Sequence, residues 1–436
     1  MLNVFIKKIF PYTLLFFSLL ILSYIFYRDQ ILYNSNNFIY YKTYYFIGLA
    51  ILALSFISIL IEKSKKYIFI ILLTITLTVY SFETYLTIIK FEKTDLNLKI
   101  EEYKKSTGND YDQRSIIKVY NDLVLENTNV VIKIFPSLFL NSSNKLYPLS
   151  GISNSKTIYD NENGYYFIYQ SDRYGFNNPD EEWDKKEIDY LLLGDSFVHG
   201  ASVNRPDDIS SVLRNISKKN VLNISYGGSG PLLQFATLKE YIPSNTKNII
   251  WFYYEGNDNY DLKNELKNKT LIRYIRSNEF SQDLKFKQNQ IDLKLKKHLS
   301  EFINNNNQKT SVAEFRNFIK LNNLRKLLHK ASIPSEFREI LITVKKLSKS
   351  NNSDLLFVYL PEHSRYNFFN YNDNNRKEVI KILKDLNIPF IDVHKEVFAK
   401  SKNALEFFPF NMYGHYNKNG YELIAKEIYK YFNKTK

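Results

Sequence analysis

Asp189-Tyr190-Leu191-Leu192-Leu193-Gly194-Asp195-Ser196-Phe197-Val198-His199-Gly200 sets an apolar run directly against a small polar turn that carries one hydroxyl. The run is too short for a buried helix and is closed by glycine, so it reads as a strand buried on both faces. Gly194 permits the tight turn, and Ser196 follows at its rim. A side chain at the carboxyl edge of a sheet stands where open α/β folds assemble their sites. Ser196 is thereby a candidate nucleophile.

Working outward, further strand-like runs at 220–225, 248–254, 354–360 and 388–392 alternate with helical patterns at 208–218, 230–242 and 375–386. Such alternation implies right-handed crossovers and an α/β fold: a doubly wound parallel sheet, flavodoxin-like, in the order 2-1-3-4-5. Three more polar segments punctuate it. Asn223-Ile224-Ser225-Tyr226-Gly227-Gly228-Ser229-Gly230 follows Val221-Leu222, and Gly256-Asn257-Asp258 closes the run Ile249 to Tyr254. Gly414-His415-Tyr416-Asn417-Lys418-Asn419-Gly420-Tyr421 precedes a final amphipathic helix at 420–432.

In this order the four segments resemble the landmarks of the SGNH (GDSL-like) esterase and acyltransferase superfamily. The resemblance implies Ser196 as nucleophile and His415 as the base that takes its proton. It also implies an oxyanion hole built from the Ser196 and Gly228 backbone N–H groups and the Asn257 amide, with no cofactor and no metal. The chemistry needs these types. A serine hydroxyl is a weak nucleophile until an imidazole accepts its proton, and donors fixed toward the tetrahedral oxyanion contribute roughly 3–4 kcal/mol each. Glycine admits close backbone approach, and asparagine donates without a charge to desolvate.

One landmark departs. The superfamily's aspartate three residues before its histidine is here Met412, and a thioether cannot orient an imidazolium. Three readings stay open: a Ser-His dyad with the ring held by a backbone carbonyl, orientation by Asn411, or an acid from elsewhere such as Asp392 at the end of Phe390-Ile391-Asp392. His363 and Arg365, just beyond the run 354–360, are candidates to bind an acidic sugar or phosphate. His199 is set aside because the local chain direction carries it away from the reacting edge. Asp195 and Asp258 read as turn stabilisers.

Upstream, aromatic and β-branched residues between Lys156 and Pro179 suggest a lead-in strand or hairpin. Its end, Tyr174-Gly175-Phe176-Asn177-Asn178-Pro179, resembles a Gly-Phe-Arg-Asn turn of bacterial polysaccharide-associated members, with Asn177 where arginine is usual. The stretch at about 261–350 is too long for a loop and reads as a helical insertion, with Phe315, Phe318, Ile319, Leu321 and Leu324 spaced to share a face.

The amino-terminal fifth decides location. Apolar segments at about 9–27, 43–61 and 67–89 approach the length that crosses a hydrocarbon core of ~30 Å, the third interrupted by Glu83. Lys7, Lys8, Lys63, Lys65 and Lys66 mark the cytoplasmic ends, so three crossings leave the remainder outside. The expected organisation is a membrane anchor over 1–90, a juxtamembrane stalk over 91–150 and the SGNH hydrolase-like domain over 151–436. Among 436 residues there is no cysteine, which excludes disulfides and thiolate chemistry, and the histidines are dispersed without metal-ligand spacing. The net charge of +14 comes from scattered lysines, so no nucleic-acid partner is expected.

Taken with the resemblance, these features imply a multi-pass membrane protein with an extracytoplasmic serine esterase or O-acyltransferase domain. Its partners would be the lipid bilayer, an acylated glycan or other ester, and a membrane acyl donor. The alternative is a catalytically inactive glycan-binding or scaffold protein of a surface-polysaccharide assembly.

Overall fold

The computed structural model describes residues 2–32, 38–93, 96–126, 129–142, 146–305, 311–328, 332–367 and 371–434. By internal contacts the chain divides into two units, Met1–Lys90 with Ser311–Leu328, and Phe91–Thr310 with His329–Lys436.

The first unit is helical. Helices α1 (Phe10–Phe26), with the helical turns Phe5–Ile9 and Tyr27–Leu32 on either side of it, α2 (Phe38–Leu60) and α3 (Ser64–Lys93) supply three stretches long and apolar enough to cross a membrane: Phe5–Ile31, Tyr41–Leu60 and Ser64–Ile88. A methyl at Gly48 would meet Leu22 Cδ2 at 2.6 Å, so glycine lets α1 and α2 approach closely. Phe10 and Phe69 pack edge to face at 5.2 Å and join α1 to α3.

In the second unit, strands β1 (Val130–Ile132), β2 (Lys156–Ile158) and β3 (Ile168–Gln170) form a small sheet, β1 parallel and β3 antiparallel to β2. Strands β4 (Ile188–Leu193), β5 (Val221–Asn223), β6 (Thr246–Tyr254), β7 (Asp354–Leu360) and β8 (Phe390–Asp392) form the large one. It is wholly parallel, in the order β5-β4-β6-β7-β8, with Leu193 opposite Trp251 and Tyr254 opposite Leu360.

The period of two in these strands divides the core. Leu191, Leu193, Ile249, Trp251, Tyr253, Phe357 and Tyr359 point into one cluster; Tyr190, Leu192, Ile250, Phe252, Tyr254, Val358 and Leu360 point into the other. Burial on both faces is why the strands read as continuous apolar runs. Helices α4 (Pro231–Tyr241) and α5 (Ser335–Ser350) cover the first face through Leu233, Phe235, Phe337 and Leu341. Helix α6 (Lys418–Lys434) covers the second through Tyr421, Ile424 and Ile428, as does Leu213 of the helix Ile209–Ser217. Crossover connections of this kind bring the carboxyl ends of β4, β5 and β6 to one edge.

The structure adds detail to the stretch read as a stalk. Residues 96–126 are helical at Leu96–Thr107 and Ile116–Glu126, and β1 pairs with β2. This stretch belongs to the same unit as the large sheet.

Candidate active site

Ser196 opens a single helical turn, Ser196–His199, directly after β4. Asp195 caps that turn, its carboxylate accepting from the Phe197 N–H at 2.9 Å. The turn closes at Gly200, whose φ of +88° is left-handed and where a methyl would strike Asp208 Cβ at 2.6 Å. Ser196 is therefore held between a cap on one side and an obligatory glycine on the other.

His415 comes from the loop before α6. The Ser196 hydroxyl lies 2.8 Å from His415 Nε2, so residues 219 apart in the chain meet at one sheet edge. The other ring nitrogen, Nδ1, faces both oxygens of Glu162 at 3.1 Å, and the His415 backbone N–H donates to Glu162 Oε2 at 2.7 Å. Gly414 makes room, since a methyl there would come within 2.8 Å of the same oxygen.

Glu162 was not among the acids weighed from the sequence. It projects from the loop joining β2 to β3, whose ends are tied by Tyr159 N–H to Phe167 O at 2.8 Å and Phe167 N–H to Asp160 O at 2.7 Å. Asn161 folds the tip by accepting from the Gly164 N–H at 2.9 Å, and Gly164 has a φ of +92°. From 96–126, Tyr111 donates to Asn161 O at 3.0 Å, and Asn161 Nδ2 donates to Asp112 O at 2.7 Å. The available signal was a lone carboxylate in the turn Asn161-Glu162-Asn163-Gly164 between two aromatic runs.

The two orienters proposed from the sequence are engaged elsewhere. Asp392 pairs with Arg376 at 2.5 Å and accepts from the Lys395 N–H at 3.3 Å. The Asn411 carbonyl sits 3.1 Å from His363 Nε2 and steadies that ring rather than His415.

The electrostatics follow from this geometry. Burial disfavours the charged imidazolium, but the charge and hydrogen bond of Glu162, with Asp160 and Asp195 behind it, hold His415 above its ordinary value. Burial likewise opposes the Glu162 carboxylate. The His415 charge and its ring and backbone hydrogen bonds, aided by Lys99, outweigh that and pull Glu162 down to about 2. Asp160, Glu162 and His415 each offer a ligand atom within 4.8 Å of one another. These donors are already engaged: Asp160 pairs with Lys133 at 3.2 Å, and both His415 nitrogens have partners. A cation held there through His415 Nδ1 would have to displace the contact between Nδ1 and Glu162.

Gly228 lies in the loop after β5 with a φ of +70°, and a methyl would meet Ser137 Oγ at 2.9 Å and Phe135 Cβ at 3.0 Å. Its backbone is thus exposed to a close neighbour without a side chain intervening. Asn257 follows β6 at the start of the helix Asp258–Glu265, yet its side chain makes no cap hydrogen bond and its Oδ1 is buried without a partner. The Gly194 carbonyl accepts from Tyr226 N–H at 3.4 Å, which ties the β4 and β5 loops together.

Four other candidates are occupied structurally. His363 is 3% exposed and packs against Phe408 at 5.0 Å. The Arg365 guanidinium is spent on Glu255 and on Asp373 at 2.6 Å, which leaves it no free fork for an acidic sugar. His199 lies among Tyr159, Phe167, Tyr169 and Tyr226 with Nδ1 3.0 Å from Ser225 O, and burial lowers it to about 4. Asp258 holds its turn by accepting from the Tyr254 N–H at 2.8 Å.

No protein-family model matches the chain, and no curated protein does. Among solved structures, the chain is similar to an acetyl xylan esterase, AlAXEase, at 13% identity over 56% of this chain and 98% of that one, with a TM-score of 0.32. It is also similar to the psychrotrophic esterase EstA from Pseudoalteromonas sp. at 14% identity over 57% and 98%, TM-score 0.28. A third is the lipase/acylhydrolase from Enterococcus faecalis, at 15% identity over 55% and 93%, TM-score 0.30.

Proposed function

We propose that this chain is a serine esterase or O-acyltransferase of the SGNH type, with Ser196, His415 and Glu162 as its triad. The hydrogen-bond chain from Ser196 Oγ through His415 to Glu162 carries the reading. Glu162 accepts from Nδ1–H, which leaves Nε2 unprotonated and facing the hydroxyl. As Oγ attacks an ester carbonyl, Nε2 takes the proton, and the resulting imidazolium sits against a carboxylate. The oxyanion is received by the Ser196 and Gly228 N–H groups and the Asn257 amide. Collapse expels the alcohol, which takes the proton back from Nε2. Water or a sugar hydroxyl then attacks the acyl-enzyme by the same route, and that choice separates hydrolase from transferase.

The large sheet's order and two-sided helical cover support the doubly wound, flavodoxin-like version of the fold. Three apolar helices and the lysines at their ends support a multi-pass anchor with the site outside the cytoplasm. From that location we infer ester-linked acyl groups of extracytoplasmic glycans as substrate, with a membrane partner supplying acyl groups if the enzyme transfers them. The inactive-scaffold reading was motivated by the missing aspartate at Met412, and a carboxylate on Nδ1 removes that motive.

The test uses the full chain in detergent or nanodiscs. Hydrolysis of p-nitrophenyl acetate and labelling by a fluorophosphonate should both vanish in Ser196→Ala. Equal signal from the two proteins would sink the proposal.

A further inference from the structure

Glu83 sits in the apolar stretch of α3 and is wholly buried. Its Oε1 accepts from the Asn323 N–H at 2.9 Å and its Oε2 from the Leu324 N–H at 2.8 Å, both in the first turn of the helix Asn322–Leu328. Neighbouring residues on α3 extend the contact in both directions. Tyr80 donates to the Ile319 carbonyl at 3.0 Å with its ring 5.6 Å from Phe318, and Thr87 Oγ1 accepts from Asn323 Nδ2 at 3.0 Å. Tyr80, Glu83 and Thr87 fall on one helical stripe. That stripe receives the helix pair Ser311–Ile319 and Asn322–Leu328 from the insertion.

We propose that this helix pair is an interfacial membrane element, docked on α3 and seated in the headgroup and outer acyl region of the bilayer. The proposal rests on α3 crossing the membrane and is independent of the esterase chemistry. Depth is the first argument. Seventeen residues separate Lys66 from Glu83, which is about 26 Å along a helix, close to the ~30 Å of a hydrocarbon core. Glu83 thus reaches the far boundary when Lys66 marks the near one. A carboxylate there has little water, and protein donors must satisfy it; the two N–H groups of the docked helix do so.

The outward face is the second argument. Phe315 and Ile319, one turn apart, are 66% and 49% exposed, and α3 adds exposed Phe82, Tyr85 and Ile88 nearby in sequence to Glu83. Arg316 and Lys320, also one turn apart, are exposed beside them. Apolar residues paired with cations at helical spacing suit a surface that buries side chains among acyl chains while cations meet lipid phosphates.

The native chain has no cysteine, so introduced ones report alone. Full-length protein in vesicles of phosphatidylcholine and phosphatidylglycerol would carry an environment-sensitive fluorophore at Ile319→Cys, with exposed Lys297→Cys of the other unit as control. Acyl chains brominated near the headgroup should quench most of the Ile319→Cys emission and leave that of Lys297→Cys. Under mild oxidation the pair Tyr80→Cys and Phe318→Cys should cross-link within one chain, and Glu83→Leu should lower that yield several-fold. Equal, weak quenching at both labels would overturn membrane seating. A cross-link between two chains would assign the face to a second copy and overturn it too.

Discussion

The large and small sheets of the second unit each deliver part of the candidate site, and they do so by different physics. The large sheet delivers Ser196, Gly228 and Asn257 from three adjacent strand ends, positions that a parallel topology brings together without further contrivance. The small sheet delivers Glu162 from a hairpin loop, held by contacts with Tyr111 and Asp112 far from it in sequence. The proposed nucleophile and oxyanion donors are thus set by fold topology. The proposed acid is set by loop packing.

The comparison breaks hardest at Glu162. If the loop supplies the triad acid, Glu162→Ala should lower kcat by about a thousand- to ten-thousandfold while the protein stays folded. The pH profile separates this from a structural defect. The neutral imidazole is the active base, and Glu162 holds His415 above its usual range, so the acidic limb of kcat/KM should lie above the ordinary histidine value. Removing the charge in Glu162→Gln should move that limb to lower pH. A large loss of rate with an unmoved limb would detach Glu162 from the histidine.

Asn257→Ala probes the large-sheet side and should cost about a hundred- to a thousandfold in kcat, with KM little changed, because in the proposed mechanism the amide acts only on the developing oxyanion. A change confined to KM would place Asn257 in ground-state binding instead.

This asymmetry also explains what could be read from sequence. The strands of the large sheet were legible because burial on both faces writes itself as apolar runs ended by glycine or asparagine, as at Leu193-Gly194 and Tyr254-Glu255-Gly256-Asn257. The pairing of Ser196 with His415 was legible from motif order. Glu162 was not, because its role depends on a loop closing across 253 residues, and no local pattern distinguishes it from the many charged turn residues of this chain. The hairpin around it was expected between Lys156 and Pro179; its contribution to the site was not. The bracing role of 96–126 was illegible for the same reason: its polar surface reads as a solvated stalk, and only the fold shows Tyr111 and Asp112 holding the loop.

A smaller effect tests that bracing. Gly164 has a left-handed backbone and its missing side chain faces the Tyr103 ring, so Gly164→Ala adds strain and a clash at the loop tip. We expect stability to fall by about 1–3 kcal/mol, read from the shift in the urea midpoint, with kcat reduced by far less than in Glu162→Ala. Loss equal to that of Glu162→Ala would mean the loop tolerates no displacement.

The smallest expected effect on activity belongs to Asp392→Asn, and it decides between the two sheets as source of the acid. Asp392 ends β8 and pairs with Arg376, so neutralising it leaves a half-buried guanidinium with a weaker partner. Removing such a charged hydrogen-bond partner costs on the order of 1–3 kcal/mol in stability. None of that cost falls on the His415 ring, whose Nδ1 remains on Glu162, so turnover should stay within about twofold of the parent and the pH limb should not move. If Asp392→Asn instead lowered kcat as strongly as Glu162→Ala and shifted the limb, the large sheet would supply the acid after all, and the loop contact would be a resting arrangement that the histidine leaves during turnover.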